Sequence, residues 1–234
     1  SANTDGDIDS TVSANTDAGF SIVSYTGVVA SSGTIGHGLS KAPEMIILKR
    51  RSAVDPWEVL HHGIASDYET DILVLQDSDA AADLATIWND TAPTSSVFSV
   101  GSSNNVNGTD DTYVAYCFHS VDGYSKMGTY EGNQNTDGTF VYTGFRPAFV
   151  IAKSVDEVRN WHNMDSTRNP NNPANHVVWA NLSNAEYSDN DYTDVDFLSN
   201  GFKLRNNDTA MNNDGQTHIY IAFAETPFKY SNAR

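Results

Sequence analysis

A chain of 234 residues is long enough for one large β domain or two small ones. Its 13 Lys+Arg against 30 Asp+Glu give a formal charge of −17, which repels nucleic acid and anionic membrane and argues against both as partners. A single cysteine, Cys117, excludes an intramolecular disulfide and a cysteine-based zinc site.

Residues 1–18 are polar, without the basic start and apolar run of a signal peptide, and read as a linker from a longer chain. From there on, β-branched and aromatic residues come in short runs separated by Gly, Asn, Asp, Ser and Pro. In the first half these predicted strands fall at 20–25, 45–49, 57–61, 72–75, 97–100 and 113–118. In the second half they fall at 140–142, 149–153, 176–179, 202–204 and 219–223. Asp122-Gly123, Asp137-Gly138 and Asp214-Gly215 are placed to close hairpins, because both residue types tolerate the positive φ of tight turns. Only 79–88, rich in Ala, has helix-forming composition, with Ser78 positioned to cap it. No run approaches the ~18 apolar residues of a membrane span, so membrane insertion is not expected. The fold class is all-β.

An internal repeat organises these elements. Ala42-Pro43-Glu44-Met45-Ile46-Ile47-Leu48-Lys49 aligns with Arg146-Pro147-Ala148-Phe149-Val150-Ile151-Ala152-Lys153 at an offset of 104, and Trp57 with Trp161 and Phe98 with Phe202 fall at the same offset. Further on, Asn107-Gly108 matches Asp214-Gly215, and Tyr113-Val114-Ala115-Tyr116 matches Tyr220-Ile221-Ala222-Phe223, at an offset of 107. The chain therefore reads as two diverged copies of a β-sandwich-like unit, jelly-roll or lectin-like, over 19–123 and 124–234 and packed closely together. The copies share Pro, Trp, aromatic and aliphatic positions and one Lys, which are framework residues and not a catalytic set.

Candidate chemistry is sparse. His61 and His62 are adjacent in a predicted strand, so their rings point to opposite faces and do not make a metal site together. Glu225 is the acid with the most apolar neighbours, the others lying in polar loops where a carboxylate stays ionised. Asp5, Asp7 and Asp9, and more so Asp189, Asp191, Asp194 and Asp196, could supply the hard oxygens calcium wants, although neither group has EF-hand spacing. No other cofactor is indicated. Carbohydrate recognition is the best-founded binding chemistry, since sugars are held by an aromatic face beside planar hydrogen-bonding groups. Trp88 with Asn89, and Trp179 with Asn181, Tyr187 and Tyr192, are the candidates, whereas Trp57 and Trp161 read as core anchors.

The blocks Gly36-His37-Gly38-Leu39, Lys41-Ala42-Pro43-Glu44-Met45, Tyr113-Val114-Ala115-Tyr116-Cys117-Phe118, Gly144-Phe145-Arg146-Pro147-Ala148 and Pro227-Phe228-Lys229-Tyr230 carry a resemblance that runs from about residue 11 onward. Together they resemble a family of structural proteins of marine and environmental tailed phages and prophages. The resemblance implies a C-terminal module of a tail-fibre-like protein at the virion surface, outside the cell. Its implied partners are other virion chains, as a homo-oligomer, and a host surface glycan. It brings no catalytic residues, so the expectation is a binding module and not an enzyme. The alternatives are a purely structural fibre or decoration subunit, and a glycan depolymerase, which would need two carboxyls about 5–10 Å apart.

Overall fold

The computed structural model describes residues 1–28, 32–188 and 193–227. The chain is all-β and forms two compact units, residues 1–75 with 81–119, and residues 76–80 with everything from Ser120 on. Each unit has its own apolar core, centred on residues such as Val23, Leu48, Phe98 and Ala115 in unit 1 and Val150, Phe197, Phe202 and Ala222 in unit 2.

Unit 1 contains β1 (Ala2–Asn3), β2 (Ser10–Asn15), β3 (Phe20–Thr26), β4 (Gly33–Gly36), β5 (Met45–Arg50) and β6 (Trp57–His61). It continues through β7 (Asp71–Val74), β8 (Ala82–Asp83), α1 (Ala85–Trp88), β9 (Val97–Val100), α2 (Asn104–Asn107) and β10 (Thr112–Phe118). Eight strands make an antiparallel sheet in the order β1-β2-β3-β10-β5-β6-β7-β8, and β4 pairs with β9 in a second. The period of two is visible in β10, where Tyr113, Ala115 and Cys117 are buried while the residues between them are half-buried. Tyr25 on the large sheet meets Phe98 on the small one edge-on at 6.4 Å, inside the shared core.

Unit 2 contains β11 (Ser125–Glu131), β12 (Phe140–Tyr142), β13 (Pro147–Ser154), β14 (His162–Asp165), β15 (Val178–Trp179), β16 (Val195–Leu198), β17 (Gly201–Leu204), α3 (Thr209–Asn212) and β18 (Thr217–Ala224). Its sheets run β11-β18-β13-β14-β15 and β12-β17-β16. The row β3-β10-β5-β6 thus recurs as β11-β18-β13-β14, β4-β9 as β12-β17, and α2 as α3.

Hydrogen bonds repeat with the strands. The Tyr25 hydroxyl donates to the Val106 carbonyl at 2.7 Å, and Tyr130 donates to Met211 at 2.9 Å. The Asn107 side chain accepts from the Val28 N–H, and Asn212 accepts from Asn133, both at 3.0 Å. Ser103 caps α2 and Asp208 caps α3, each accepting from the N–H two residues on. A Cβ on Gly27 would sit 2.3 Å from the Gly108 carbonyl oxygen, and one on Gly132 would sit 2.2 Å from that of Asn213, so both copies need glycine where β3 and β11 end.

These equivalences correct the second half of the repeat alignment. Tyr25 pairs with Tyr113, and its counterpart Tyr130 pairs with His218, an offset of 105 and not 107. Only one extra residue separates the copies there, and Asn107 corresponds to Asn212. In a strand a slip of two residues keeps every side chain on its face, so apolar pattern alone fits 105 and 107 equally well.

Two further expectations change. Residues 1–18 are not a linker in this fold: β2 is zipped to β3 along its whole length, and Ile8 and Val12 are buried. The helix expected over 79–88 shrinks to the single turn α1, because Ala82 is paired to Ile72 in β8–β7. The α1 turn has no side-chain cap, and the Ser78 carbonyl instead accepts from the Arg159 N–H at 2.8 Å within unit 2. Among the described residues no helix is long and apolar enough to cross a membrane.

Candidate functional site

The site is built where β14 meets β15. Register sets His162 opposite Trp179, and a bridge between Val177 and Tyr187 brings the Tyr187 ring beside the indole. The Trp179 ring centre lies 6.2 Å from the His162 ring, edge-on at 72°, and 5.9 Å from Tyr187. With Asn160, Thr193, Asp208 and Ala210 these three rings line a cavity of about 220 Å³. That is below the ~300 Å³ lower end for drug-sized ligands, so the space suits one ring-sized group.

Two polar atoms in this wall lack a partner among the described residues: the Trp179 indole Nε1 and the His162 Nδ1. His162 is 5 % exposed, and burial pushes its pKa down to about 4, against an opposing pull from a hydrogen bond to the Asn160 backbone; nearby His218, Lys153 and Arg159 lower it further. The imidazole is therefore neutral at physiological pH. A neutral imidazole that donates one N–H to the Asn160 carbonyl keeps a lone pair on the other nitrogen. Both atoms are sealed beneath the pocket surface, where an uncompensated polar group costs about 1–3 kcal/mol.

The sequence candidates divide. Trp179 and Tyr187 come together in the pocket. Asn181 stands behind it, its side chain donating to Asn160 at 2.8 Å and accepting from the Trp161 N–H at 3.1 Å, so it positions a lining residue. Trp88 is fully buried in the core of unit 1 and cannot offer a face to a sugar, which corrects its assignment as a platform. Asn89, in a left-handed conformation, ends α1 and is exposed without an accessible Trp88 beside it. Tyr192, Asp189 and Asp191 lie outside the described residues.

Of the calcium candidates, Asp196 is buried and bound by the Arg205 guanidinium at 2.5 Å, and the Asp194 carbonyl accepts from the Arg205 N–H at 2.7 Å. A carboxylate neutralised by arginine is a poor ligand, and among the described residues no three candidate ligands gather. Asp5 and Asp7 are likewise engaged, with Asn3 and Thr34.

Glu225 is about half exposed and pairs with Arg146 at 3.1 Å, so it is not the buried acid its neighbours implied. Among the described residues the buried acid without a cationic partner is Glu58, 1 % exposed, with its pKa raised by burial and partly restored by a hydrogen bond from Asn105. His61 is buried and His62 exposed, but His62 falls in the turn after β6 and the two rings lie 5.0 Å apart at 35°, so they do not point to opposite faces as an unbroken strand would make them. Cys117 is buried, and burial raises its thiol to about 12, which leaves it inert. His162, Asn160, Thr193, Asp208 and Ala210 were missed from sequence; the signal available for His162 was its place directly after Trp161, the repeat partner of the Trp57 that opens a predicted strand in the first copy.

Fold and pocket define the class: an all-β protein of two related units with an aromatic, polar-edged pocket in the second. The chain belongs to a family described as a domain of unknown function, DUF7483, matched over residues 1–227. No curated protein and no solved structure matches it.

Proposed function

We propose that the chain is a virion surface module of the tail-fibre kind that binds a host glycan through the Trp179 pocket and assembles with other virion chains, itself as a homo-oligomer. The observation that carries the binding part is the half-buried Trp179 ring, set beside Tyr187 and His162 in the wall of an aromatic cavity the size of one sugar ring. The resemblance to tailed-phage structural proteins supports the location. Rigid sheets holding a small site suit this role, since many copies on one particle turn weak contacts into avidity. The module acts by binding alone.

The test is binding of the purified chain to a glycan array and to intact bacterial cells, beside Trp179→Ala. Loss of about tenfold or more in the variant, with unchanged folding, supports the reading. Wild-type protein that binds no glycan and no cell leaves a structural subunit, and sugar fragments released from the array would make it a depolymerase.

A further inference from the structure

The two copies differ in a concerted way at the position of this pocket. Strand pairing places Glu58 and His162 at equivalent sites, because Leu48 pairs with Glu58 and Ala152 with His162 in matching strands. Across the next strand, Glu58 faces Val74 where His162 faces Trp179. On the short helix, Asn105 and Ala210 are equivalent, each donating its N–H to the capping residue two places before it. In unit 1 the Asn105 amide donates to the Glu58 carboxylate at 2.8 Å, so a direct side-chain bond spans the gap between helix and sheet. In unit 2 the methyl of Ala210 stops short of His162, and the cavity lies between them.

We infer that Ala210, together with His162 and Trp179, is what opens the site, and that each chain therefore holds one ligand, an uncharged sugar ring, in unit 2 alone. The charge follows from the lining: among the described residues Asp208 is the charged residue of the wall, and the nearby cations are held elsewhere, Lys153 by the Ser154 carbonyl and Arg159 by Glu157 and the Thr209 carbonyl. An acidic sugar would meet like charge at close range inside a molecule already carrying −17. This inference rests on the glycan reading above for the identity of the ligand, but not for the role of Ala210.

The experiment follows the indole N–H resonances of the full chain by NMR during titration with methyl glycosides of neutral hexoses, with methyl glucuronide, and separately with dimethyl sulfoxide as a small neutral acceptor. Wild type should show a neutral glycoside moving the Trp179 resonance with one site per chain, and the glucuronide binding at least about tenfold more weakly. Ala210→Asn should abolish both the glycoside and the dimethyl sulfoxide response at Trp179, while Asn105→Ala should leave the stoichiometry at one. If no glycoside binds yet dimethyl sulfoxide shifts Trp179 in wild type and not in Ala210→Asn, the glycan reading falls and the role of Ala210 stands. A Trp179 response that survives Ala210→Asn, a second site per chain, or tighter glucuronide binding overturns the inference.

Discussion

His162 is an imidazole held neutral by the sheet around it, and that has a thermodynamic cost in acid. Its folded pKa of about 4 lies below the ordinary 6.5, so the unfolded chain takes up a proton that the folded chain refuses. Its contribution to stability is fully present above pH 6.5 and is lost as pH falls toward 4, to an extent on the order of 3 kcal/mol. His218, also buried and lowered mainly by burial, acts in the same direction. Denaturant unfolding at pH 7 and pH 5 should show wild type losing ~2 kcal/mol more than His162→Gln over that interval. Equal losses would place the acid sensitivity elsewhere. At this scale the sequence is least informative: Trp88 and Trp179 both have an Asn one or two residues on, yet one is sealed in a core and the other half-buried beside Tyr187. What separates them is long-range pairing, here of β14 with β15, which no local pattern encodes.

At the scale of elements, the four-strand row was legible in unit 1, where alternation and turn residues are clear local signals, but in unit 2 only β13 and β18 fall on predicted strands and β11 and β14 do not. Of the small sheets β9, β12 and β17 were legible and β4 and β16 were not. Register was not, since a two-residue slip conserves the pattern; it took the ring stacks of Tyr25 on Tyr113, at 5.0 Å, and of Tyr130 on His218, at 4.8 Å, to fix it. The ends of β3 and β11 were hidden too, because Gly27 and Gly132 matter through a backbone carbonyl more than eighty residues away. Gly132→Ala puts a methyl against the Asn213 carbonyl and the α3 turn, and should destabilise the protein by about 1–3 kcal/mol through overpacking. A denaturation midpoint unchanged from wild type would mean that the loop yields freely. Ala at Gly215, where nothing lies within 4 Å of a Cβ, is the comparison for backbone strain alone, since its φ of +68° already disfavours a side chain.

For the molecule as a whole, charge is the dominant variable. A net charge of −17 with few basic residues to offset it makes the folded state repel itself, and salt screens that repulsion. Thermal unfolding should therefore shift upward between low and physiological salt by about 3 °C, the change that ~1 kcal/mol brings in a chain of this size. A midpoint indifferent to salt would mean that the acids are already compensated locally, as Asp111 is by Arg50 and Asp137 by Lys203.

Residues 76–80 lie in the chain between β7 and β8 of unit 1 but belong to unit 2, where the Ser78 carbonyl receives the Arg159 N–H. No single cut can release either half with all of its parts. A duplication ordinarily yields cassettes that recombination can shuffle, lengthen or discard; here a crossover at the seam would leave the second unit without five of its residues and the first carrying them unpaired.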